Sequence, residues 1–112
     1  MSQSDIYTVI CVLKGEGVAF SVRIEKTEII DRLKEEIIKK TSAFTNLDTR
    51  FLDLYHVDIP DANEVELMAS VEAQTLDNPQ LPSTSLIMIF PTGPKAETVH
   101  FIVKPSKLVT FG

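Results

Sequence analysis

Ile6-Tyr7-Thr8-Val9-Ile10-Cys11-Val12-Leu13 is the stretch on which the fold turns. Its β-branched side chains predict a strand. Ile6, Ile10 and Val12 share one side, and Tyr7, Val9, Cys11 and Leu13 the other. A strand apolar on both sides belongs in the middle of a sheet that is covered on at least one face. Lys14-Gly15-Glu16-Gly17 comes next, and its two glycines can supply the positive φ angles of a tight turn.

Residues 18–25 then alternate. Val18, Phe20, Val22 and Ile24 lie on one face, and Ala19, Ser21, Arg23 and Glu25 on the other. That period of two marks a half-buried strand, so strand, turn and strand form a hairpin. Outward from the hairpin, Ile30, Leu33 and Ile37 recur at helical spacing, with Ile29 and Ile38 widening the stripe. A helix is predicted over 27–40, with Thr27 as its N-cap. Glu28 and Asp31 in the first turn and Lys39 and Lys40 in the last suit the helix dipole. Glu28→Arg32, Glu35→Lys39 and Glu36→Lys40 are acid-before-base pairs at i,i+4.

Thr41 to Asn46 reads as a polar connector with Phe44 as a plug beneath the helix end. Arg50 to Ile59 is a further strand, with Leu52 and Leu54 on one face, and Pro60 ends it because proline cannot donate to a ladder. Val65, Leu67, Met68, Val71 and Leu76 fit either a short helix or a strand followed by a turn. Residues 77–83 are loop. Ser83 is placed to cap a helical turn through Leu86 and Ile87, which Pro91 stops. Val99 to Lys104 is the last strand, with Val99, Phe101 and Val103 inward and His100 at the sheet surface, or beneath other chain if this strand is central. Pro105 closes it.

The chain of 112 residues has 44% hydrophobic and 24% charged residues, an ordinary globular composition rather than a disordered one. Eleven Lys+Arg against sixteen Asp+Glu make a net charge of −5, which lacks the basic footprint of a nucleic-acid-binding domain. A lone cysteine, Cys11, cannot form an internal disulfide, and its apolar neighbours make it a packed small hydrophobe. The apolar run at 6–13 is too short to span a bilayer. No Lys or Arg precedes it and no small-residue cleavage site follows, so no secretory signal of the usual design is visible.

Laying the last strand beside the first, in parallel, covers Ile6 to Leu13. The expected fold is therefore α+β, a ubiquitin-like β-grasp: a mixed sheet of four to five strands with one main helix packed across it. Four pieces of sequence sharpen this. Phe20-Ser-Val-Arg-Ile-Glu-Lys-Thr27 followed by Leu33-Lys-Glu-Glu-Ile37, then Leu52-Asp-Leu-Tyr-His-Val-Asp-Ile-Pro60, Leu86-Ile-Met-Ile-Phe-Pro91 and Val99-His-Phe-Ile-Val103, occur in that order. Together they resemble the N-terminal domain of the Crinkler effectors, in the version carrying Val-Asp-Ile-Pro that is common among fungal members.

The resemblance implies a ubiquitin-like N-terminal domain over 1–105, with 106–112 a short tail or the start of a linker to a separate C-terminal domain. It implies a non-enzymatic module of a secreted effector, delivered into host cells and acting in their cytoplasm or nucleus. Such a module works through a protein partner, which includes a second copy of itself as a homodimer. It calls for no cofactor, no small-molecule substrate, no nucleic acid bound through this domain and no membrane span. The family's delivery motif, Leu-Phe-Leu-Ala-Lys, falls on Leu54-Tyr55-His56-Val57-Asp58. Only Leu54 is identical; Tyr55 keeps the aromatic ring and Asp58 reverses the charge. Leu54, Tyr55, His56, Val57, Asp58, Ile59 and Pro60 are thus the site residues that the resemblance implies. By burial alone, Leu54 reads as core and Tyr55, His56 and Asp58 as sheet surface or strand end. The alternative is a cytosolic ubiquitin-like adaptor without a delivery role. The binding surface in either case is a sheet face or an exposed edge strand.

Other chemistries find little footing. His56 and His100 lie on different strands and do not make up the three or four ligands of a zinc site. Asp58, Asp61, Glu64, Glu66 and Glu72 lack calcium-loop spacing and read as a solvated loop. Lys14-Gly-Glu-Gly17 is no phosphate loop, and no serine sits in a nucleophile elbow. The ending Phe111-Gly112 lacks the double glycine expected of a conjugatable modifier.

Overall fold

The computed structural model describes residues 5–14, 19–41, 49, 52–60, 63–76 and 78–105. Seven elements follow one another: β1 (Ile6–Leu13), β2 (Ala19–Glu25), α1 (Ile30–Lys40), β3 (Leu52–Pro60), α2 (Glu64–Ala73), α3 (Leu86–Ile89) and β4 (Thr98–Pro105). The strands form one sheet in the order β2-β1-β4-β3. β1 pairs with β2 antiparallel and with β4 parallel, and β4 pairs with β3 antiparallel. This is an α+β mixed sheet with a helix packed across it, compatible with the ubiquitin-like β-grasp. The turn at 15–17, Val18, Phe44 and the tail 106–112 lie outside the described residues.

The two apolar faces of β1 each meet a core. Val9, Cys11 and Leu13 join Val22 and Ile24 of β2, Leu52 and Leu54 of β3, Phe101 and Val103 of β4, and the α1 stripe Ile30, Leu33 and Ile37. On the opposite face Val12 joins Tyr55, Ile59, Val99 and Ile102 beneath Leu67 and Val71 of α2. β4, flanked by two strands and covered on both faces, is buried from Thr98 to Val103.

Several local expectations need correction. α1 starts at Ile30, and its N-cap position is Ile29 rather than Thr27, with no side-chain cap. Ile29 is extended and bridges to Ser85, while the amides of Ile30 and Asp31 donate to the carbonyl oxygens of Thr84 and Pro82, both at 2.9 Å. A returning backbone segment thus satisfies amides that a cap would otherwise serve. The α1 ion pairs run from Arg32 to Glu35 and Glu36 and from Lys39 to Glu36. α3 is preceded by Ser85, not capped by Ser83, and the Leu86 amide donates to the Glu28 carbonyl oxygen at 2.9 Å.

The ambiguous stretch after Pro60 is a helix. Asn63 caps it, its Oδ1 accepting from the Glu66 amide at 2.9 Å. Glu64, Glu66 and Glu72 therefore belong to helix α2, not to a loop. Finally, Val99 does not share a face with Phe101 and Val103. It packs in the α2-side core, while they pack under α1. The slip coincides with a bulge in β3: His56 pairs with Phe101 and Ile59 with Val99, three residues spanning the length of two.

Candidate functional site

β3 is an edge strand, and it carries the segment Leu54–Pro60. The strand divides that segment by burial. Leu54, Tyr55 and Ile59 are buried, Val57 is half-buried, and His56, Asp58 and Pro60 face solvent; Tyr55, expected at the sheet surface, is instead covered because α2 packs on its face of the sheet. Leu54 packs under α1, while Tyr55 and Ile59 pack under α2. The outer margin of β3 offers little for strand addition. The Gln80 amide already donates to the Leu54 carbonyl oxygen at 2.8 Å, the bulge interrupts the ladder, and Pro60 has no N–H.

The bulge brings His56, Val57 and Asp58 to the rim of a cleft of about 230 Å³. The opposite wall is the turn after α3, from Phe90 through Pro91, Thr92 and Gly93 to Lys95, and Thr98 and His100 of β4 complete the lining. Gly93 adopts φ +95°, which a side chain would strain, and its amide donates to the Phe90 carbonyl oxygen at 3.0 Å. Tyr7 of β1 ties down the same carbonyl through its hydroxyl at 2.7 Å. The turn is thus held by hydrogen bonds from both sides.

Phe90 organises the cleft. The rings of Tyr7, His56, His100 and Phe101 lie 6.2, 5.2, 5.3 and 5.8 Å from it, each near-perpendicular. Edge-to-face packing places the positive edge of one ring against the negative face of the next. At the mouth, Lys95 Nζ stands 3.4 Å from Asp58 Oδ2; both side chains are well exposed, so this pair is worth little by itself.

The two histidines meet here despite lying on different strands, because β3 and β4 are neighbours. His100, deep in the cleft, is only 3% exposed. The Ile10 amide donates to its Nδ1 at 2.9 Å, and its Nε2 lies 2.8 Å from the Lys95 carbonyl oxygen. Desolvation lowers its pKa, against weaker upward pulls from the Lys95 carbonyl and Asp58. His56 is also held below the ordinary value, first by desolvation and then by His100, with Asp58 opposing. Among the described residues no group of three or more His, Cys, Asp or Glu side chains is placed to hold a metal ion. Burial pushes the Cys11 thiol far above its usual range and keeps it protonated, so it is no nucleophile.

A scan against protein-family models matches residues 7–104 to the Crinkler effector protein N-terminal domain. The chain belongs to the Crinkler effector N-terminal domain family. No curated protein and no solved structure matches it. In this Crinkler domain the segment that the sequence resemblance sets against the delivery motif lies on β3, but only His56, Val57 and Asp58 of it line the cleft. Reading the sequence missed Phe90, Lys95 and His100 as their neighbours. The Phe90-Pro91 pair is visible as a stop to a helical turn, yet nothing in one dimension says that it faces His56. Only the β3–β4 register, with His56 opposite Phe101, could have pointed there.

Proposed function

We propose that this Crinkler domain is a non-enzymatic module that mediates delivery of a secreted effector into host cells through a protein partner. Recognition uses the exposed side chains of the Leu54–Pro60 segment and the cleft behind them. One observation carries this reading: the family segment occupies an edge strand whose backbone is blunted while His56 and Asp58 stay exposed on a preformed cleft. Recognition there proceeds by side chains, not by an added strand. β2 is the other edge; its pairing to β1 is regular from Ala19 to Glu25, so it is the place for strand addition and for self-association. In this reading residues 1–105 form the delivery module, and 106–112 lead toward a linker and a separate effector domain.

The test is a reporter placed behind residues 1–105 and offered to host cells, beside the reporter alone and a His56→Ala/Asp58→Ala variant. Both positions are exposed, and thermal unfolding of the variant beside the wild type checks that folding is kept. Uptake of the wild-type fusion alone is the expected result. Uptake no better than that of the bare reporter overturns delivery, and capture of a cytosolic partner by such a domain would then mark it as an adaptor. Light scattering over a concentration series tests self-association; a constant monomer mass removes it.

A further inference from the structure

His100 occupies a place where a ladder hydrogen bond would be expected. The parallel pairing of β1 with β4 runs from Cys11↔Phe101 to Leu13↔Val103 and does not extend to Ile10. There the Ile10 amide donates to the His100 ring instead, at 2.9 Å. The other ring nitrogen reaches the Lys95 carbonyl oxygen at 2.8 Å. These partners determine the tautomer. A carbonyl only accepts, so Nε2 carries the hydrogen; an amide N–H only donates, so Nδ1 carries a lone pair. In the folded state described, the imidazole is therefore neutral. It joins three pieces of chain: β1 through Ile10, β4 through its own backbone, and the turn 91–97 through Lys95.

We propose that His100 is an acid-sensitive latch, whose protonation at Nδ1 opens the Ile10 end of the β1–β4 seam and frees the turn that walls the cleft. The proton comes from solvent and takes the lone pair that holds the Ile10 N–H. Two donors then face each other, and a part-buried amide loses its acceptor, which is costly wherever water cannot replace it. The groups that face the ring come from every side of the cleft. β3 presents His56 and Asp58, the turn presents Lys95, and α3, Leu86-Ile-Met-Ile89, offers no titratable group. The Lys95 carbonyl and Asp58 favour the charged ring, but more weakly than desolvation opposes it. His56 opposes charging when it is itself charged.

The sign follows. Because burial holds His100 below the free imidazole value of about 6.5, the opened chain binds the proton first. The latch is closed above that pH and yields as pH falls from there toward the folded value. It is a property of the fold and goes beyond the delivery reading; the latch would stand even if the cleft proved to take no partner.

Amide hydrogen exchange by NMR on the 112-residue chain, corrected for intrinsic rates, tests it. Between neutral pH and about pH 5, protection of the Ile10 amide is expected to fall roughly tenfold or more, while α1 amides keep theirs. His100→Asn supplies an acceptor oxygen near the position of Nδ1 that does not titrate, and it should abolish the acid step. His56→Gln should retain it. Unchanged protection at Ile10, an equal loss across α1, or an acid step that persists in His100→Asn overturns the latch. Imidazole nitrogen shifts of the wild-type chain provide a readout that needs no variant: a bare Nδ1 and protonated Nε2 at neutral pH are expected, and the reverse tautomer overturns the proposal.

Discussion

On one face of the sheet α1 lays down Ile30, Leu33 and Ile37, all fully buried, against apolar side chains from all four strands. On the other, α2 contributes only Leu67 and Val71, and its Val65 is 79% exposed. The second core covers β4, β3 and the far end of β1, while Thr8 of β1 and Ser21, Arg23 and Glu25 of β2 remain open to solvent. The difference separates two tasks. The α1 face holds the sheet together as a folded unit. The α2 face is a lighter cover, whose one ion pair to the β1 end among the described residues, Lys14 to Glu72 at 2.8 Å, is exposed.

Substitutions on the two faces should reveal that inequality. Phe101→Ala removes the largest fully buried side chain among the described residues, in the α1-side core, and should cost about 3–5 kcal/mol in urea unfolding. Leu67→Ala, in the thinner core, should cost about 2–3 kcal/mol, at the lower end for buried leucines because α2 can settle onto the sheet. A Leu67 variant as damaging as the Phe101 variant would break the comparison. Asn63→Ala removes the α2 cap and should cost about 1 kcal/mol by the same measurement. The matching change Thr27→Ala, at the residue expected but not found to cap α1, should be neutral within about 0.5 kcal/mol. Lys14→Gln should also act weakly, lowering stability by less than about 1 kcal/mol and by less still at high salt, as expected of an exposed pair.

The unequal faces also explain what could be read in advance. β2 and the α1 stripe were legible because each repeats one period over many residues, and β1 because its β-branched run ends at two glycines. α2 was not, because Val65 and Met68 interrupt its buried pair Leu67 and Val71 with exposed apolar side chains, so helical and strand patterns fit equally well. The Asn63–Glu66 spacing was the available signal, a capping residue three positions before a glutamate. In β3 the alternation correctly marked Leu54 as core, but it could not show the bulge beyond His56, since a bulge depends on the partner strand.

Composition and periodicity by themselves determined the types of the four strands and of α1, the central place of β1 and the α+β class, because each rests on interactions within a few residues of chain or on a repeat that any sheet must bury. The cleft is different. Phe90 against His56 and His100, the neutral ring of His100 between Ile10 and Lys95, and the backbone cap of α1 by Pro82 and Thr84 join residues far apart in sequence. Such contacts carry no local pattern. They were decided only when the strand order placed β4 between β1 and β3, bringing an imidazole to the end of one ladder and to the back of a cleft formed by another.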